Sequence, residues 1–160
     1  MKRTPYKIRH HVRIIVSVFG EKGGKFLFIE QKAQGRRLAE PVGHLEPREG
    51  IVVAAAREFL EETGYRIKIK GLVGVYHNIY SKQTLSDSVR CIFWGAITGR
   101  AGKQEPGVQL HWIPRSSLHS AITQLSHPTS KRALKDFLDG QRFPLRVLRE
   151  MRLEAKPVLR

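Results

Sequence analysis

The sequence predicts an α/β fold, and three features carry that reading. Runs rich in β-branched and aromatic residues recur along the chain at strand length. Between and after them lie segments with helix composition and clear stop signals. No apolar run approaches the length of a membrane span, so the apolar residues are left to build a core.

Each element follows in order. "HVRIIVSVF" (11–19) reads as a strand, "GEKGGK" as a glycine-rich turn, and "FLFIEQKA" (26–33) as the returning strand of a hairpin. "QGRRLAEPVG" is an irregular connection punctuated by Pro41 and Gly43, with a short strand around Leu38. From Gly50 to Thr63 the "AAARE" composition favours helix, and Gly64 suits the position just past a helix end. "YRIKIKGLVGVYHNIY" (65–80) begins with strict alternation and reads as a strand. "SKQTLSDS" is a polar loop, "VRCIFWGAI" (89–97) a buried strand, "TGRAGKQEPG" a loop and "VQLHWI" a short strand. Helices are expected in "PRSSLHSAI" and over 128–140, the latter with a Ser/Thr start, a Gly140 stop and a stripe of Ala133, Leu134, Phe137 and Leu138. No repeat, low-complexity linker or boundary divides the chain. One domain over 1–160 is expected, with its core from about residue 8 to 140 and a basic C-terminal tail from 141.

Composition bounds the function. At 160 residues the chain is long enough to bury roughly two-thirds of the surface exposed when unfolded. The single cysteine, Cys91, cannot form an internal disulfide and lies in a buried-looking strand, and no Cys/His zinc spacing occurs. The basic N-terminus has too short an apolar patch for a secretory signal, so a cytoplasmic location is expected. With 29 Lys+Arg against 14 Asp+Glu, the net charge of +15 predicts attraction for polyanions without choosing among nucleotides, RNA and acidic surfaces.

Against that basic background, Glu58, Glu61 and Glu62 crowd into five positions of the first helix. Like charges three and four apart on a helix repel. On a helical wheel at about 100° per residue, Val52, Val53, Ala56, Phe59 and Leu60 fall on one side and the three glutamates on the other, with Ala54 and Ala55 between. The apolar side is expected to pack on a sheet and the acidic side to face outward. Three carboxylates on one face form a hard-oxygen site suited to magnesium shared with phosphate oxygens and water, and bound cations remove the self-repulsion. Arg57, with its planar fork, suits the task of clamping a carboxylate in one orientation.

The spacing is more specific than the composition. Gly43, Glu49, Arg57, Glu58, Phe59, Glu61, Glu62, Gly64 and Tyr65 match G-x5-E-x7-R-E-U-x-E-E-x-G-U, with U a bulky apolar residue. This resembles the box of the Nudix hydrolase (MutT-like) family. Phe59 and Tyr65 are aromatic where that family usually has aliphatic residues, and Val42 stands where many members have a second glycine. Outside the box, "PVGHLEPREGIVVAAARE" and "GQRFPL" (140–145) resemble the NudJ-type phosphatase subgroup, although Leu38 stands where that subgroup tends to have a tryptophan.

The resemblance implies an α/β/α sandwich, a mixed sheet between helices with the box forming loop–helix–loop. It implies hydrolysis of a nucleoside diphosphate linked to another group, with Mg2+ (or Mn2+) held by Glu58, Glu61, Glu62 and the Gly43 backbone carbonyl. Glu49 and Arg57 would hold the site's shape, and Gly64 would end the helix. The NudJ-type subgroup further implies phosphatase action on nucleoside tri- and diphosphates and on hydroxymethylpyrimidine pyrophosphate. The general base stays open among Glu58, Glu61 and Glu105, the last in a loop where other Nudix proteins often carry an extra glutamate. Arg37, His44, His77 and Arg90 are candidates for substrate contacts, with Arg90 the strongest because it opens a strand that otherwise reads as buried.

Two other readings use the same residues. An RNA 5′-pyrophosphohydrolase would use the basic surface as a track for the RNA backbone. A non-catalytic nucleotide- or nucleic-acid-binding module of the same shape is disfavoured by an intact box. A small phosphorylated substrate is the expected partner, with no membrane, and a monomer or homodimer is compatible with the chain.

Overall fold

The computed structural model describes residues 12–31, 35, 37–80 and 86–153. The polar loop expected at 81–88 lies mostly outside the described residues, as do Lys32 and Ala33 at the end of the expected second strand. Strand β1 (Arg13–Lys22) turns at Gly23 and Gly24, both with positive φ, into β2 (Lys25–Gln31). Two short strands follow, β3 (Leu38–Ala39) and β4 (Val42–His44), and then helix α1 (Ile51–Thr63). Beyond it run β5 (Tyr65–Asn78), β6 (Ser88–Arg100) and β7 (Val108–Pro114). A chain of single turns carries the short helix α2 (Leu118–Ala121), followed by α3 (Pro128–Leu138) and β8 (Phe143–Pro144).

The strands form one mixed sheet with the path β3-β2-β1-β6-β5-β8, while β4 pairs with β1 and β7 with β2. β1 and β6 run parallel from Arg13–Ser88 to Glu21–Ala96, and the other named pairs are antiparallel. Alternation along the strands splits the apolar side chains between two faces. Phe19, Phe28, Ile92 and Val73 meet Leu118, Leu134 and Phe137 on the α2/α3 side. Val16, Val18, Phe93 and Leu72 meet Ala54, Ala55 and Phe59 on the α1 side. The result is the expected α/β/α sandwich, with the sheet buried on both faces.

Both aromatic departures in the box have a packing account. Phe59 is fully buried, and its ring stands 2.5 Å from where a Cβ on Gly20 would lie. The missing side chain on β1 is therefore what admits a phenyl group. Tyr65 meets Trp112 edge-on at 5.6 Å, with the Arg100 guanidinium 5.2 Å above its ring.

Three expectations need correction. The apolar side of α1 is displaced from the one read off the wheel: Ala54, Ala55, Phe59, Glu62 and Thr63 are buried, while Val53 is 60% exposed. The small alanines, not the valines, let the helix lie close on the sheet. α3 is capped by His127, whose Nδ1 accepts the Thr129 N–H at 3.1 Å, and not by a Ser/Thr side chain. The segment after Gly140 has more structure than a basic tail. Arg142 lies 3.5 Å above the Phe137 ring and donates to the Phe137 carbonyl, Phe143 and Pro144 pair with β5, and Leu145 and Leu148 pack on the α1-side core. An arginine that stacks on an aromatic ring and caps a helix carbonyl at once gives a physical reason for the "GQRFPL" pattern.

Candidate active site

The site is built where the loop after β4 enters α1. Arg57 is its centre. Its Nε and Nη2 donate to the two oxygens of Glu49 at 2.8 and 2.9 Å. Its Nη1 donates to Glu58 at 2.8 Å and to Glu61 at 3.1 Å, and Nη2 also reaches the His44 carbonyl at 3.1 Å. One guanidinium therefore fixes the loop, the strand β4 and two acids of the helix. The pairing with Glu49 raises the Arg57 pKa further and lowers that of Glu49, so the clasp stays charged.

Gly43 sits against this cluster. A Cβ there would fall on the Glu58 carboxylate, so only glycine lets that carboxylate lie along the backbone of β4. Glu62 departs from the outward-facing arrangement expected for it. It is 6% exposed, and its carboxylate accepts the Val42 N–H at 2.7 Å. Burial pushes its pKa up to about 8, against that hydrogen bond, with Glu58, Glu105 and Glu40 adding repulsion. The flank of α1 that carries Glu62 abuts β4, a strand not legible in the sequence.

The loop carrying Glu105 is pinned to the end of α1. Gly64, with φ at 74°, ends the helix, its carbonyl accepts the Ala101 and Gly102 N–H groups, and the Glu105 N–H donates to the Glu62 carbonyl at 3.3 Å. The exposed Glu105 side chain thus stands beside the helix end, close enough to act on Glu62.

The donor set fits a hard divalent cation: carboxylates of Glu58, Glu61 and Glu62 beside the backbone of Gly43, with a buried acid whose raised pKa a cation would reverse. Among the described residues, no three Asp, Glu, His or Cys side chains converge closely enough to hold an ion as they stand. Glu58 and Glu61 are turned toward Arg57 and Glu62 toward Val42.

The predicted substrate residues separate. His44 is exposed on β4 next to Gly43, in a shallow groove with Val12, Leu45 and Glu49. Arg37 is also exposed, but lines a different cleft, of about 790 Å3, with His111, Trp112 and Lys131. His77 is not brought to the site. It is exposed, 3.9 Å from Asp87, and the path from Gly43 to its strand crosses β1 and β6, about 14 Å at one strand spacing each. Arg90 points to the α3 face of the sheet and is 7% exposed. Its Nη1 donates to Ser130 at 3.0 Å and lies 3.6 Å from Glu40, and Nε has no hydrogen-bond partner among the described residues. Arg90 lines a cavity of about 320 Å3 with Ala39, Val42, Ser126, His127 and Ser130. Val42 joins the two regions, because its side of β4 lines the cavity and its N–H holds Glu62.

Glu40 is a functional candidate that the sequence does not mark. It is fully buried, and one carboxylate oxygen accepts from Ser17 at 3.2 Å and Ser130 at 3.0 Å. Its only signal is an acid between apolar residues just before Pro41. His127 likewise gave no signal beyond preceding a proline.

These observations define a Nudix site. The NUDIX domain model matches residues 9–137, and the chain belongs to the Nudix family: it is a Nudix hydrolase, an enzyme of phosphoanhydride hydrolysis. Among individual proteins, it is 29% identical over 142 residues to Phosphatase NudJ of Escherichia coli (strain K12), covering 86% of this chain and 90% of that one. A NUDIX hydrolase from Nitrosomonas europaea superposes with a TM-score of 0.77 at 27% identity, covering 88% of this chain and 98% of that one. A MutT NUDIX hydrolase from Burkholderia pseudomallei, at 21% identity and a TM-score of 0.62, shares the fold. Enzymes of this family use divalent metal and act on small phosphorylated substrates. Among the described residues, no helix is long and apolar enough to cross a membrane.

Proposed function

We propose that this chain is a Mg2+-dependent, NudJ-like phosphatase acting on nucleoside tri- and diphosphates or on a small pyrophosphate such as that of hydroxymethylpyrimidine. The observation that carries the reading is the Arg57 clasp, which sets Glu58 and Glu61 in one place beside Gly43 and Glu62. The similarity to Phosphatase NudJ over most of both chains supports the phosphatase class. In this reading the chain works in the cytoplasm as one domain.

Glu58, Glu61, Glu62 and the Gly43 carbonyl would hold the Mg2+. When bound, it supplies charge neutralisation for phosphate oxygens and Lewis acidity toward water. Arg57 and Glu49 keep the carboxylates oriented, and Glu61 or Glu105 takes the proton from the attacking water. Glu61 is the most exposed of the acids held by Arg57, and Glu105 is exposed beside the helix end. The Arg90 cavity would receive the group beyond the phosphates. Its volume lies in the range of small-molecule pockets, and its guanidinium suits a hydrogen-bond acceptor on a heterocycle.

Purified protein with Mg2+ would be incubated with GTP, GDP, hydroxymethylpyrimidine pyrophosphate, ADP-ribose and a short 5′-triphosphate RNA, with orthophosphate and pyrophosphate assayed separately. Orthophosphate from the small molecules, absent with Glu61→Gln, is expected. Glu105→Gln is expected to cut turnover strongly without unfolding, and a near-wild-type rate would remove Glu105 from the site. The +15 charge supports one alternative, an RNA 5′-end hydrolase. Release from RNA alone, with a steep salt dependence of binding, would establish it. Metal-dependent turnover of any member of the panel excludes a purely binding module.

A further inference from the structure

The helix that carries the catalytic carboxylates lacks a cap of its own. Its N-cap residue is Gly50, with no side-chain hydrogen bond, and its first turn holds no acid. The four leading N–H groups of a helix need partners, and negative charge there is favourable. A partner for one of these N–H groups, and the negative charge, come from 99 positions further along. The Glu150 carboxylate accepts the Ile51 N–H at 2.5 Å. Leu145 and Leu148, just before it, pack on the α1-side core and bring it there. Gly50 makes room for it, since a Cβ on Gly50 would meet a Glu150 oxygen at 2.6 Å. Immediately upstream, Arg48 is held at φ 66° and Glu49 grips Arg57. Glu150 therefore meets the chain at the junction where the strained loop becomes the helix.

We infer that Glu150 is a positioning residue for hydrolysis: the C-terminal segment caps α1 in trans along the chain and sets the entry of the helix, and with it the Glu49–Arg57–Glu58–Glu61 clasp. It touches neither substrate nor metal site. It acts through Ile51 and the first turn, and Arg57 begins less than two turns further on.

The test uses Glu150→Ala, Glu150→Gln, Gly50→Ala and the Gly50→Ala/Glu150→Ala double variant in the full chain. Gly50 has φ −76°, so alanine is conformationally acceptable and its direct effect is to push Glu150 aside. Hydrogen exchange of the amides of Ile51 to Ala54 gives a readout independent of any substrate. Loss of a cap is expected to speed exchange at Ile51 by about five-fold. A shift of the helix entry is expected to lower kcat about ten-fold with KM unchanged, measured on the best substrate of the panel. Glu150→Gln keeps an acceptor and should recover part of both. The double variant should be no worse than Glu150→Ala alone, because the two single changes remove one contact. Wild-type exchange at Ile51 in Glu150→Ala, or additive losses in the double variant, would overturn the inference. So would a lowered melting temperature with kcat intact below it, which marks Glu150 as merely structural. Failure of every panel substrate would count against the proposed function, while the exchange data would still decide the cap.

Discussion

Arg57 and Arg90 both answer to glutamates, and they do so in opposite ways. Arg57, 23% exposed as a side chain, spends its donors on Glu49, Glu58, Glu61 and a backbone carbonyl, at 2.8 to 3.1 Å. Arg90, 8% exposed, faces a Glu40 side chain with no exposure at all, at a looser 3.6 Å. That second cluster leaves Arg90 Nε and Glu40 Oε2 without hydrogen bonds among the described residues. A guanidinium whose directions are filled behaves as a fixed strut. A buried pair with unfilled directions is a poor stability device, because desolvation offsets much of the attraction. The difference teaches that the clasp is shaped for rigidity, whereas the buried pair borders the cavity proposed above to receive part of the substrate.

The largest expected effect would break the second half of that comparison. Glu40→Gln or Arg90→Met alone leaves one buried charge unpaired and should cost about 3–5 kcal/mol in a denaturant unfolding titration. The Glu40→Leu/Arg90→Met pair should recover most of that loss. If the double variant also loses its preference among small substrates, the pair is retained for binding. Next, Arg57→Lys removes the fork while keeping the charge. It should lower kcat by about 100-fold, the scale of an ångström-level misplacement, with a much smaller change in melting temperature.

The smallest effect sharpens the contrast through pH. The Glu62 pKa is raised from 4.5 to about 8, chiefly by burial. The folded chain therefore binds this proton more tightly than the unfolded chain. The stability it contributes is full below pH 4.5 and is lost as pH rises toward 8. In EDTA, melting temperature should fall over that window in the parent and stay flatter in Glu62→Gln. Excess Mg2+ should restore the parent at the alkaline end, since a cation favours the carboxylate.

The box was legible because all its parts lie within 23 residues and depend on local spacing. The long strands were legible too, since their alternation is a local signal. What stayed hidden depends on chain segments meeting from afar. Glu40 finds Ser130 across 90 positions, and Arg90 finds Ser130 across 40. Glu62 is buried because β4 lies over its flank, and a three-residue strand beside a proline leaves no periodicity to read. Phe59 fits because of Gly20, which reads as the start of the glycine-rich turn but lies inside β1. Composition cannot announce such pairings, since each partner taken alone is an ordinary charged or small residue.

The cap on α1 has a consequence for how the enzyme comes into being. Ile51 leaves the ribosome well before the residue that holds its amide. At about 5–20 residues per second, the helix waits roughly 5–20 s for Glu150. For most of that interval the nascent chain carries all the acids of its box but an unfinished helix entrance. If Glu150 sets the entry of α1, full turnover follows only once Glu150 has been made, 99 positions after the amide that it holds.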